Sequence, residues 1–156
     1  MLLDRAVELG LCNEWQREWN LECTRQELVE KYLKGIDFCI KHDYPNVDFI
    51  REYFPKELLE RNGVFVDGDV DGQNLSTVVL LGKSNGVLLN DFCVSNIYVR
   101  HSSLVSIQST NGARVFVEVY DNSLVTIAAD ESSKVFVYQH GGTVKSDGNV
   151  VIRDRR

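Results

Sequence analysis

The sequence predicts an α+β protein, with a helical cap over residues 1–62 and a small β-solenoid of about four coils over residues 63–156. Three observations carry this reading. Strands of one kind, Ile97-Tyr98-Val99, Val115-Phe116-Val117 and Val135-Phe136-Val137, recur 18 and then 20 residues apart. A second kind, Val105-Ser106-Ile107 and Val125-Thr126-Ile127, alternates with the first, again 20 residues apart. The residues before position 63 instead space their apolar side chains as helices do. A fixed period near 20 marks a repeat that stacks on copies of itself. A coil with two main sides explains why two kinds of strand alternate. About one strand per ten residues also fits an antiparallel β-sandwich or barrel, which stands as the alternative.

The helical segment reads in order. Leu2, Leu3, Ala6 and Leu9, then Trp15 and Trp19 four apart, have helical spacing over residues 2–19, with Gly10 as a break or kink. Thr24 followed by Glu27 forms a capping box, so a helix starts at Arg25. Its buried face is Leu28, Val29, Tyr32, Leu33, Ile36, Cys39 and Ile40, with Gly35 in the middle. Val47, Ile50 and Phe54 mark a short helix after Pro45; Pro55 opens a last turn that Gly63 stops. Helices this short need something to lean on. The first coil of the repeat, which would otherwise present an open backbone edge, is the expected support.

From Val64 onward, short apolar strands alternate with Gly, Asn, Asp and Ser clusters. The candidate strands are 64–66, 77–81, 87–89, 97–99, 105–107, 115–119, 124–128, 135–138 and 150–152. Side chains alternate across a strand. Ile97, Val99, Val115, Val117, Val135 and Val137 therefore point inward, and Tyr98, Phe116 and Phe136 point out. In that register the three rings form an external ladder at the strand spacing of about 4.8 Å. A row of large apolar groups is rarely left bare. The helices or a second subunit would cover it, or it would form a docking groove for an aromatic or sugar ligand. Ser106 and Thr126, on the other side, suit water.

Composition narrows the function classes. The chain of 156 residues, 44% hydrophobic, can bury a core without metals or bridges. Cys12, Cys23, Cys39 and Cys93 have no C-x-x-C spacing and read as reduced thiols of a cytoplasmic protein. An early charged pair, Asp4-Arg5, and the lack of a long apolar run speak against a secretion signal or membrane partner. The net charge is −6: residues 1–62 carry 9 Lys/Arg against 13 Asp/Glu, and the rest 8 against 10. Neither half offers the basic stripe that phosphate backbones require, so no nucleic-acid partner is expected. The one local excess is the tail Arg153-Asp154-Arg155-Arg156.

Two constellations could carry chemistry. Asp67, Asp69 and Asp71 before Gly72 match the opening of a calcium loop, where hard oxygens wrap the cation. The match fails at its twelfth position, Val78, where a bidentate Glu is needed. The second lies at the coil corners, where His101, Asp121 and His140 follow the aromatic strands and would stack into one column. His and Asp are compatible with a metal, but residues on one line do not converge, and polar turn residues also serve the backbone. Other signals are incomplete. Gly82-Lys83-Ser84 lacks the earlier glycine of a phosphate-binding loop, and Cys93 with His101 lacks an orienting third group. Trp15 and Trp19 read as helix core.

The segments Tyr120-Asp121-Asn122-Ser123-Leu124-Val125 and Ser133-Lys134-Val135-Phe136-Val137-Tyr138 resemble short β-solenoid repeats of the forms Y-D-N-S-x-V and S-S-K-V-x-V-Y. Such repeats are found in uncharacterised proteins of bacteria and their phages. Leu9-Gly10-Leu11-Cys12-Asn13-Glu14-Trp15 and Gly35-Ile36-Asp37-Phe38-Cys39 resemble the helical leader of those proteins. The resemblance implies a solenoid and a phage or prophage origin, with assembly into a phage particle as an alternative to a cytoplasmic location. It implies no active site. The reading is therefore a non-enzymatic structural or protein-interaction module that self-associates or binds another protein through Tyr98, Phe116 and Phe136. A small-molecule or carbohydrate binder using the outward rings and the His101, Asp121 and His140 corner is the alternative. No cofactor is expected beyond calcium at the acidic segment.

Overall fold

The computed structural model describes residues 2–20 and 22–156. The chain divides between Asn62 and Gly63 into two compact units. No helix among the described residues is long and apolar enough to cross a membrane.

The described residues of the first unit form α1 (Leu2–Glu8), α2 (Asn13–Arg17), α3 (Arg25–Lys34), α4 (Ile36–His42), α5 (Val47–Tyr53) and α6 (Lys56–Arg61). The capping box before α3 is formed: the Glu27 amide donates to Thr24 Oγ1 at 3.2 Å, and the Thr24 amide donates to Glu27 Oε2 at 2.7 Å. The helix expected to run through Gly35 is two helices, because Gly35 closes α3 and opens α4. The Trp15 ring packs where a side chain on Gly35 would project, with Cζ3 2.7 Å from that position. The helical pattern over residues 2–19 likewise splits. Gly10, at φ +96°, separates α1 from α2, and Trp19 lies beyond the end of α2. Buried Ala6, Val29, Ile50 and Leu59 contribute to the apolar interior. An apolar cavity of about 50 Å³, lined in part by Trp15, Tyr32, Cys39 and Phe54, remains among these helices. Burial pushes the Cys39 thiol up to about 12.

The second unit contains β1 (Val64–Gln73), β2 (Thr77–Asp91), β3 (Val94–Val99), β4 (Leu104–Thr110), β5 (Arg114–Val119), β6 (Leu124–Ala129), β7 (Lys134–Gln139), β8 (Thr143–Gly148) and β9 (Val150–Asp154). Every ladder is parallel, which excludes the antiparallel sandwich or barrel. The strand order is β8-β6-β4-β2-β3-β5-β7-β9, with β1 on β2. β2 serves both sides of the coil: Thr77–Leu80 pair with β3, and Asn85–Asp91 with β4. Side A is the start of β2 with β3, β5, β7 and β9; side B is the end of β2 with β4, β6 and β8. The result is a parallel β-solenoid of about five turns.

The expected count of about four coils falls short for two reasons. β1 continues through the acidic segment, pairing with β2 on both sides of an irregularity at Val66/Gly68. β8 is polar and was not among the candidate strands; its backbone pairs with β6 although most of its side chains are exposed. Register also differs from the repeat as first aligned. Ile97 pairs with Val117 and Val117 with Val137, a constant step of 20, while Ser95 sits beside Val115. The two-residue difference keeps every side chain on its assigned face, because faces alternate with period two.

Inward columns of Val and Ile build the core. Ile97, Val117 and Val137 on side A meet Ile107 and Ile127 on side B, all at most 1% exposed. The corners are tight turns held by left-handed residues, among them His101 and Asp121 at one corner and Asn74, Phe92 and Asn111 at the other. Asn and Asp tolerate that conformation best, and their side chains bond to the next coil. Asn74 Oδ1 accepts from the Asp91 amide at 2.7 Å, and Asp67 Oδ1 from the Lys83 amide at 2.9 Å. Asp130 accepts from the amides of Asn111 and Ser133, and these bonds hold its carboxyl well below the usual carboxylate range. Ser84 and Ser123 are buried at the first corner and donate to the carbonyls of Leu81 and Tyr120.

Two measurements check this packing. A Cβ on Gly86 would overlap the Val70 carbonyl oxygen of the coil above. Gly86→Ala is therefore expected to cost more than about 4 kcal/mol in urea unfolding, and Ile127→Ala about 2–5 kcal/mol. A Gly86→Ala protein as stable as the parent would refute the β1–β2 register. In thiol labelling at pH 8, exposed Cys12 is expected to react quickly and half-buried Cys39 far more slowly. Equal rates at the two would contradict the partial burial of Cys39.

Candidate functional site

Parity along the strands of side A places four columns of side chains on its outer surface. Val94, Arg114 and Lys134 form the first, and Asn96, Phe116, Phe136 and Val151 the second. Tyr98, Glu118, Tyr138 and Arg153 form the third. The last runs through Arg100, Tyr120 and His140, since the Tyr120 and His140 amides donate to the Val99 and Val119 carbonyls.

This arrangement separates residues that the repeat pattern had grouped. Phe116 and Phe136 are stacked neighbours, with centroids 5.4 Å apart and planes 11° apart. Tyr98 is not in their column; it lies one column over, in register with Glu118. The three-ring ladder is thus a two-ring ladder with a neighbouring tyrosine. The corner changes too. His101 and Asp121 are adjacent, the His101 amide donating to Asp121 Oδ2 at 2.8 Å. His140 falls one position earlier and stacks on Tyr120 instead, at 4.5 Å and 4°. His101 Nδ1 accepts from the Gly82 amide, so this ring serves the turn.

The acidic segment is not a loop. Asp67 sits at a corner with its carboxylate on the Lys83 amide, whereas Asp69 and Asp71 project from an extended strand. Among the described residues, no group of three or more His, Cys, Asp or Glu gathers as a metal would need.

The ring geometry decides what side A can present. Stacked rings related by the coil repeat have their faces directed along the solenoid axis, each covered by its neighbour. Arg153 and Arg155 lie 5.6 and 5.9 Å over the Tyr138 ring, and Arg100 lies 5.9 Å over Tyr120. Lys134 Nζ stands 5.4 Å over Phe136. Ring edges, not faces, therefore point outward, and ring edges are electropositive. The cations add to this. The outer positions of side A carry Arg100, Arg114, Lys134, Arg153 and Arg155 against Glu118, a balance of +4 in a chain of net charge −6. Glu118 is already engaged, 2.6 Å from His140 Nε2 and accepting from the Tyr120 hydroxyl at 3.4 Å. Arg100 lies 3.4 Å from Asp121. Arg114 donates to the backbone carbonyls of Gly112, Ala113 and Ser132.

The expectation that neither half carries a basic surface is corrected by this geometry. Charge summed over residues 63–156 cancels because opposite faces carry opposite signs. Arg114, Lys134 and Tyr138 were missed, although strand parity would have placed them on the face of Phe116 and Phe136, and Arg153 and Arg155, read only as a basic tail, are brought to this face by the pairing of β9 with β7. The helical unit has a second concavity of about 600 Å³ beside Trp19, Tyr44, Phe49 and Tyr53. None of its described lining side chains is charged.

The architecture is a parallel β-solenoid preceded by a short helical unit. No family model matches the chain, and neither a curated protein nor a solved structure does.

The stacked rings of Phe116 and Phe136 stabilise one another. A double-mutant cycle with alanine at both is expected to give a coupling of about 0.5–1.5 kcal/mol in urea unfolding. Strict additivity would mean that the rings do not stack.

Proposed function

We infer that the protein is a non-enzymatic interaction module whose docking surface is the outward face of side A, and that it binds an acidic protein surface. The single observation behind this is the pairing of a rigid aromatic ladder with five cations around it on an otherwise acidic chain. Ordered rings supply apolar contact at little entropic cost, and rim cations steer an oppositely charged partner. Individually such charges contribute about 0.2–1 kcal/mol in water, so the surface acts as a set.

The carbohydrate-binding alternative draws less support. A sugar ring stacks on an aromatic face, and here those faces are covered by neighbouring rings and guanidinium groups. Single-stranded nucleic acid needs the same exposed faces for its bases. The resemblance to bacterial and phage solenoid repeats fits a particle or assembly component, and the four unpaired thiols fit a reducing interior.

Binding of poly-glutamate to the full chain, followed by calorimetry at low and high salt, tests the reading. Lys134→Glu with Arg153→Glu is expected to weaken binding at least about tenfold. Unchanged affinity would place the docking surface elsewhere, and tighter binding of single-stranded DNA than of poly-glutamate would overturn the choice of partner.

A further inference from the structure

We propose that the acidic surface docking on side A is side B of a second copy of this chain, so that solenoids associate flank to flank. The proposal rests on the docking role of side A and names its partner.

Side B has the complementary character. Its strands carry Asp69, Asp71, Asp91 and Asp147 at outward positions against Lys145 alone, a balance of −3. Asp69, Asp71 and Asp147 are exposed and form no ion pair among the described residues. Between the carboxylates lie two exposed apolar side chains, Val87 at 38% and Leu104 at 45%. These offer an apolar centre to the ring edges of Phe116 and Phe136. Acids on β1 and β2 flank the apolar patch on one side of the coil, and cations flank the rings on the other.

Spacing supports the match. Both surfaces are rows on the same coils, so both repeat at about 4.8 Å along the axis. Two solenoids lying side by side can keep many rows in step at once, which a surface of unrelated period cannot. Contact between two A sides would set +4 against +4, and like charges facing each other disfavour it. The A-to-B contact is heterologous. Each added copy leaves one A side and one B side uncovered, and association continues as an open row.

The experiment is sedimentation velocity of the full chain over a range of concentrations. Three charge variants accompany the parent. One carries Lys134→Glu and Arg153→Glu on side A, one carries Asp69→Lys and Asp71→Lys on side B, and the third carries all four. Asp91 is left intact because it accepts bonds from Thr110 and Asn111. The parent is expected to grow with concentration, and to lose association as salt near 1 M shortens the Debye length to about 3 Å. Each single-side variant is expected to associate at least about tenfold more weakly, and the four-site variant to recover. The neutral versions, Gln on side A and Asn on side B, give an intermediate loss without introducing a repulsive charge, and far-UV circular dichroism reports their folding. A parent that stays monomeric while still binding poly-glutamate overturns this proposal and leaves the docking role standing. A monomer that binds no poly-glutamate overturns both. Undiminished association of the side-B variant, or four sites without recovery, also overturns the A-to-B contact.

Discussion

Backbone hydrogen bonds between successive coils, all parallel and in a nearly constant register, are what the other features of the solenoid depend on. A parallel ladder sets equivalent residues one above another at about 4.8 Å. Once that holds, every chemical choice at one position becomes a column. Valine and isoleucine columns make a core with almost no exposed area, and phenylalanine columns become stacked rings. Asp and Asn at the corners reach the amide of the coil above or below. The same rule removes freedom. Gly86 has no side chain because a Cβ there would meet the Val70 carbonyl, backbone that the ladder between β1 and β2 holds in place.

The fold was legible where the apolar residues recur. Alternating apolar and polar residues in 97–99, 115–119 and 135–138 were enough to assign inside and outside correctly, because parity survives a two-residue error in alignment. The alignment itself was not legible. Val115-Phe116-Val117 matches Ile97-Tyr98-Val99 in residue type better than it matches Ser95-Asn96-Ile97, yet the ladder pairs it with the latter. Side-chain likeness lost to the backbone ladder, which pairs β3 with β5 at a step of 20. β8 escaped notice for a related reason. Its inward positions are Val144, Ser146 and Gly148, so backbone pairing with β6 holds it in place without an apolar signature. In the helical unit, Gly35 looked like a weak point inside one helix. It is a junction, and the close approach of Trp15 from another helix explains it.

The surface was harder to read than the core. Charge counted along the chain mixes the two sides of each coil, so the basic character of side A vanished into a sum. The corner residues misled in another way. His101, Asp121 and His140 share residue types that suit a metal, but one position separates His140 from the other two in the stack. At a corner, one residue is the difference between pointing along the sheet and turning out of it. His140 spends its ring on Tyr120 and Glu118 instead.

The coil from Ile97 to Val117 is twenty residues, and so is the next. Twenty is even, and it spans one full circuit. Inserting or deleting one such circuit would return each following residue to its own column and its own side. Losing a single residue from a strand would exchange its core and surface. Such an array can therefore change in length by duplication or loss of whole units, with its flanks growing or shrinking in proportion, and circuits of other lengths, 19 residues from Leu124 to Thr143 and 15 from Val135 to Val150, are accommodated at the corners.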